Sequence, residues 1–91
     1  MGGRITIKKG VGQNNLSKIP KQSGVYILHR GSKSKYVGSA GAGRLQDRIK
    51  EQLESKRGIT SFQYRPTTSE KEAKKLEKLY RDRLNPEQKN L

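Results

Sequence analysis

Gly24-Val25-Tyr26-Ile27-Leu28-His29, Arg30, Gly31-Ser32-Lys33-Ser34, then Lys35-Tyr36-Val37-Gly38: the fold turns on how these fifteen residues are read. The first six are rich in β-formers and read as a strand. Gly31-Ser32-Lys33-Ser34 is turn chemistry. Lys35–Gly38 reads as a second strand, and a link this short makes a hairpin. Successive side chains of a strand point to opposite faces, so Val25, Ile27 and His29 share one face and Tyr26 and Leu28 the other. His29 reads as a partly exposed strand residue.

Downstream of the hairpin, Ser39-Ala40-Gly41-Ala42-Gly43 is a flexible loop. From Arg44 to about residue 56 the period is helical: at about 100° per residue, Leu45, Ile49 and Leu53 fall within an arc of about 80°. Arg48 and Gln52 lie just beside that arc, and Asp47, Glu51 and Glu54 on the far side. Gly58 ends the helix. Ile59–Arg65 reads as a third strand, closed by Pro66. Ser69 with Glu72 makes a capping box for a helix over Glu70–Leu84. Its broad apolar side is Ala73, Leu76, Leu79, Tyr80 and Leu84, with Glu77 at the edge, about 40° from Ala73. Upstream, residues 1–15 read as a flexible basic arm with room for a short strand at Arg4–Lys8, and Leu16–Pro20 as a short helical turn. Residues 16–91 are then one domain. The expected fold is α+β: a small three-stranded antiparallel sheet with flanking helices, in the order β-β-α-β-α.

The 91 residues carry 21 Lys plus Arg against 8 Asp plus Glu, a formal net charge of +13, and only 29% are hydrophobic. This suits one domain with a thin core. Residues 1–23 hold five bases and no acid, residues 24–66 nine and three, residues 67–91 seven and five, so the excess lies in the first two-thirds. A field this positive draws polyanions, nucleic acid foremost. With no Cys there is no disulfide, thiolate zinc site or thiol nucleophile. A single histidine, His29, argues against Ser-His-Asp catalysis and multi-histidine metal sites. No apolar run approaches about 18 residues and no signal-peptide pattern is present, so the expectation is no membrane span and a cytoplasmic, intracellular location.

Three constellations bear on chemistry. The glycine-rich loop at Gly38–Gly43 precedes a helix, where phosphate binds readily. Its spacing is not that of a dinucleotide or Walker loop, and one βα step cannot build a dinucleotide fold. It is either a plain link or a loop that tracks a nucleic-acid phosphate. Tyr26 and Tyr36 sit on adjacent strands, a pairing that by itself stabilises a sheet. Arg48 can pair with Glu51, and Glu77 with Arg81, as ordinary helix-surface ion pairs.

Gly24-Val25-Tyr26, nine intervening residues and Tyr36-Val37-Gly38 resemble the paired motif that names the GIY-YIG endonuclease family, and the following Ser39-Ala40 is similar to the run after that motif in homing endonucleases. The resemblance covers roughly residues 16–91. It implies an arginine on the first helix, for which Arg44 and Arg48 compete; Leu45-Gln46-Asp47-Arg48-Ile49 fits the family pattern better. It implies a glutamate on the later helix, and Glu72–Tyr80 selects Glu77. The position four after the arginine, where other members have His or Tyr, is Gln52. Asn85 and Asn90, beside Pro86, compete for the family's terminal asparagine.

What the resemblance implies is a metal-dependent endonuclease hydrolysing DNA phosphodiester bonds, with Tyr26, Tyr36, Arg48, Gln52 and Glu77 as site residues. Arg30, Lys35, Ser39, Arg44 and Lys50 are the expected nucleic-acid contacts. A lone carboxylate at Glu77 suits one hard divalent ion, Mg²⁺ or Mn²⁺, that keeps most of its waters. Arg48 can donate two hydrogen bonds to phosphate oxygens. Tyr26 takes the proton of the attacking water, which requires its pKa to be lowered by Arg48, Tyr36 or lysines such as Lys35. One small domain nicks; specificity is low, structure-dependent or supplied by a homodimer or protein partner, and DNA is expected before RNA. DNA repair or a mobile element would be the setting. The alternative is an inactive nucleic-acid-binding module of the same fold, with Gln52 as its sign.

Overall fold

The computed structural model describes Ile5 and residues 9–84. In chain order its elements are β1 (Lys9–Gly10), α1 (Gln13–Ser17), β2 (Ser23–Arg30), β3 (Lys33–Ala40), α2 (Leu45–Ser55), β4 (Ser61–Thr67) and α3 (Glu70–Leu84). The hairpin forms as its alternation demands, though longer: β2 and β3 pair antiparallel from Gly24↔Ala40 to Arg30↔Lys33, with a register shift at Leu28/His29. β4 pairs antiparallel along the other edge of β2, with Tyr26 opposite Tyr64 and Gly24 opposite Pro66.

The sheet has four strands rather than three, in the spatial order β1-β4-β2-β3, and the element order is β-α-β-β-α-β-α rather than β-β-α-β-α. The extra strand pairs Lys9 with Phe62 and Gly10 with Ser61. Two residues, one of them glycine, carry no apolar alternation. β1 is held through its backbone groups, which cover part of an otherwise open edge. Among the described residues β1 pairs with β4 at Ser61 and Phe62, and Pro66, opposite Gly24 of β2, lies inside β4 instead of ending it. α1 runs across the boundary drawn after residue 15. Residues 1–4 and 6–8 of the arm, and Asn85, Pro86 and Asn90, lie outside the described residues.

Alternation on the strands sends two sets of side chains to two sets of helices. Tyr26, Leu28, Tyr36, Phe62 and Tyr64 pack with Ile19, Leu45 and Ile49 on the α1/α2 face. Val25, Ile27 and Val37 pack with Leu76 and Tyr80 of α3 on the other. α2 docks closely because residue 24 is glycine: a Cβ there would lie 2.8 Å from both the Arg65 carbonyl oxygen and the Leu45 side chain. The Leu45 N–H then reaches the Gln22 carbonyl at 2.9 Å.

α3 occupies the residues expected, and Ala73, Leu76 and Tyr80 of its expected apolar side face inward, but that side is rotated toward Glu77. Ala73 and Glu77 are buried, while Leu79 and Leu84 are 45% and 40% exposed. Leu79 lies about 200° round the helix from Glu77, so burying one exposes the other; Leu84 is the helix's last residue. The Ser69 cap is present, with its Oγ accepting the Glu72 N–H at 3.1 Å. The return half is shifted by one: the Glu72 carboxylate accepts the Thr68 N–H at 3.0 Å. His29 is buried, not partly exposed, and its Nε2 lies 2.6 Å from Gln63 Oε1 on the α3 face.

Candidate active site

The β2–β3 register sets Tyr26 opposite Gly38 and Leu28 opposite Tyr36. The Tyr26 and Tyr36 rings meet diagonally, centroids 6.0 Å apart and tilted by 31°. Tyr26 lies across residue 38: a Cβ there would stand 2.5 Å from its hydroxyl oxygen and 2.8 Å from a Tyr36 ring carbon. Glycine is what lets the hydroxyl reach over β3, the outermost strand on this side of the sheet.

The next residue on β3, Ser39, faces the opposite side, where α3 lies. Its hydroxyl donates to Glu77 Oε1 at 2.7 Å. The other carboxylate oxygen of Glu77 lies 3.6 Å from Arg81. A tyrosine from one face of the sheet and a carboxylate from the other therefore converge at the edge strand.

Burial pushes the Tyr26 hydroxyl well above the ordinary phenol range; the Tyr36 side chain and the Glu77 charge push the same way, and Arg48 opposes them. This corrects the expectation of a lowered pKa: desolvation of a fully buried ring outweighs the pull of Arg48, itself part-exposed and paired with Glu51 at 3.2 Å. The Tyr36 side chain favours the protonated form of Tyr26 without meeting hydrogen-bond geometry, so the Tyr26 hydroxyl is buried with no hydrogen-bond partner among the described residues.

Arg44, at the N-cap of α2, also reaches Glu51, at 3.1 Å. Both candidate arginines thus share one carboxylate, but it is the Arg48 field that reaches Tyr26. Gln52 Oε1 accepts a hydrogen bond from Lys56 Nζ at 2.5 Å, and that ammonium stands 4.2 Å from the Tyr36 ring centroid.

Of the residues singled out in the sequence, the fold gathers Tyr26, Tyr36, Ser39, Arg48, Gln52 and Glu77, with Arg44 alongside. Lys35 precedes Tyr36 and is half-buried on β3. Arg30 lies over Gly58 beyond the hairpin's far end. Lys50 lines a depression with Leu16, Leu53 and Ile59, to which Lys56 also contributes. Two site neighbours were not singled out. Arg81 was visible only as the i+4 partner of Glu77. Lys56 follows Gln52 by four residues but lies beyond the last helical residue, Ser55, where periodicity stops pointing.

No group of three His, Cys, Asp or Glu side chains gathers among the described residues, and no described helix is long and apolar enough to cross a membrane. A divalent cation held by one carboxylate and its own waters suits this donor set, Glu77 beside a buried, unpartnered hydroxyl.

The chain has the fold of GIY-YIG endonuclease domains. It is similar to the GIY-YIG N-terminal endonuclease domain of UvrC from Thermotoga maritima, solved bound to its catalytic divalent cation, magnesium; the TM-score is 0.69 at 22% sequence identity, over 82% of this chain and 91% of that one. A point mutant of the same Thermotoga maritima domain, also bound to its catalytic divalent cation, gives a TM-score of 0.68 at 22% identity, over 82% and 90%. No curated protein matches the sequence. A family model described as a domain of unknown function, DUF7508, matches residues 9–83, and the chain belongs to that family.

Proposed function

We propose that the protein is a metal-dependent endonuclease that hydrolyses DNA phosphodiester bonds, nicking one strand per encounter. The observation that carries this reading is the Tyr26 hydroxyl: buried, without a hydrogen-bond partner among the described residues, and within the fields of Arg48 and Glu77, which arrive from opposite faces of the sheet. The fold of the Thermotoga maritima domain and the net charge of +13 support the same reading.

Each group has a task that its surroundings suit. Glu77 would hold the divalent ion, Mg²⁺ or Mn²⁺, with Ser39 fixing one of its oxygens. When bound, such an ion neutralises phosphate charge and acidifies water. Arg48 donates to the phosphate oxygens, exchanging Glu51 for a group whose negative charge grows as the attacking oxygen adds. Tyr26 keeps its proton at neutral pH, so it orients the attacking water by hydrogen bonding instead of resting as a phenolate base. Gly38 and Tyr36 hold it in place.

The test is conversion of supercoiled plasmid to open circle with Mg²⁺ or Mn²⁺, run beside EDTA and Glu77→Ala. Metal-dependent nicking that Glu77→Ala loses establishes the reading. Nicking that survives Glu77→Ala removes Glu77 from the site. No cleavage, on plasmid or on flapped and branched duplexes, with a salt-sensitive gel shift retained, replaces the nuclease by a nucleic-acid-binding module of the same fold.

A further inference from the structure

We propose that Lys56 is a phosphate-binding residue, forming with Arg48 a two-cation seat for one phosphodiester group of a nucleic-acid strand beside Tyr36. This deepens the proposed function and rests on it for the identity of the strand.

Lys56 is held in a way that a solvated lysine is not. Its backbone N–H donates to the Gln52 carbonyl at 2.9 Å, and its ammonium donates to the Gln52 side-chain oxygen at 2.5 Å. Gln52 thus grips both ends of the residue and folds the side chain back along α2. The ammonium comes to rest over the Tyr36 ring, 4.2 Å from its centroid, a cation–π contact. No carboxylate pairs with it among the described residues. An ammonium has three N–H donors; the amide takes one and the ring faces another, which leaves one for an incoming acceptor.

The surroundings call for that acceptor to be an anion. Partial burial and the nearby Arg48 both weaken the hold of Lys56 on its proton. Of the acids on α2, Glu51 is already shared by Arg44 and Arg48, and Glu54, which lines a depression together with Lys56, forms no ion pair with it. Lys56 has no carboxylate of its own and Arg48 shares Glu51 with Arg44; the incompletely neutralised pair repels, and an anion bound between the two cations relieves the repulsion. Ordering a long cationic side chain in such a field is unfavourable in the empty protein. It becomes favourable when a phosphate arrives, because the geometry is already set. Gln52 acquires a role on this account: it positions Lys56.

The test measures binding without catalysis. A fluorescein-labelled duplex oligonucleotide is titrated in EDTA over a series of salt concentrations with the wild type, Lys56→Gln, Lys56→Arg and Lys78→Gln, thermal unfolding being recorded for each. Lys78 lies on the exposed side of α3, far from Tyr36. The expected result is a loss of about tenfold in affinity at low salt for Lys56→Gln, with the slope of log affinity against log salt shallower by about 0.9, one phosphate contact. Lys56→Arg restores most of both, and Lys78→Gln changes neither. An unaltered slope in Lys56→Gln, or equal losses in Lys56→Gln and Lys78→Gln, overturns the assignment, whatever the nicking assay shows. A wild type that binds no duplex overturns it as well, and the nuclease reading is then judged by nicking alone.

Discussion

The Tyr26 hydroxyl occupies the space that a side chain at Gly38 would need: a Cβ on residue 38 would lie 2.5 Å from its oxygen and 2.6 Å from the carbon that bears it. The Tyr26 ring is fully buried and cannot swing aside. Gly38→Ala should therefore cost about 1–3 kcal/mol of stability, the range for overpacking a core. It should abolish nicking even at temperatures where the variant is folded, because the ring must shift to be accommodated. Gly12→Ala is the control: nothing lies within 4 Å of the Cβ it would add, and its change should stay within about 0.5 kcal/mol. Urea denaturation of both variants checks this.

Tyr26→Phe should separate stability from function. The hydroxyl is buried without a hydrogen-bond partner among the described residues, and such a group costs about 1–3 kcal/mol. Its removal should leave the protein at least as stable as the wild type while nicking is lost. The pH dependence has a definite sign. An unfolded chain releases the phenolic proton near pH 10.0, whereas burial keeps it on in the folded state. Below that pH both states hold the proton and nothing changes. Above it the unfolded state binds fewer protons, so stability falls as pH rises, by about 1.4 kcal/mol per unit from this residue. Tyr26→Phe should lack that component in urea titrations between pH 9 and 11.

Much of this site was legible because it is written in a hairpin. Strand alternation alone puts Tyr26 and Tyr36 within reach, and helical spacing puts Arg48 beside the apolar arc of α2. Glu77 was different. Hydropathy centres the buried side of α3 on leucines, and the resemblance to a known motif, not periodicity, selected the glutamate. The structure buries Glu77 and exposes Leu79 because Ser39 and Arg81 satisfy the carboxylate. β1 escaped because backbone pairing by Lys9 and Gly10 leaves no pattern in side chains. Lys56 escaped because its position is set by the end of a helix and by one amide. The direction of the Tyr26 pKa was misjudged because charges can be counted in a sequence and burial cannot.

The N-terminus of α3 gives a test of local structure that leaves the chemistry alone. Ser69 accepts the Glu72 N–H, and Glu72 accepts from Thr68. Ser69→Ala should cost about 1 kcal/mol, the usual value of a lost N-cap. Glu72→Ala should cost less, because its partners are exposed and water replaces the carboxylate. Thermal unfolding ranks the two. The metal concentration for half-maximal nicking should be unchanged in both, since Glu77 lies beyond the first turn.

Arg81 should set how much metal the protein needs. It stands 3.6 Å from Glu77 Oε2, one helical turn on, with its side chain 26% exposed against 9% for Glu77. A cation bound at Glu77 must share that carboxylate with the guanidinium or displace it, and either costs Coulomb energy at low effective dielectric. Arg81→Gln removes the competitor and keeps a polar side chain of similar length. The expected outcome is that half-maximal nicking needs roughly three- to tenfold less Mg²⁺, because even about 1 kcal/mol of relieved repulsion is worth about fivefold. The maximal rate should hold or fall slightly. A metal requirement that rises in Arg81→Gln would mean that the arginine orients Glu77 instead of competing for it. Isothermal titration of Mg²⁺ into the two proteins without DNA separates these outcomes, since only competition tightens binding in the absence of substrate.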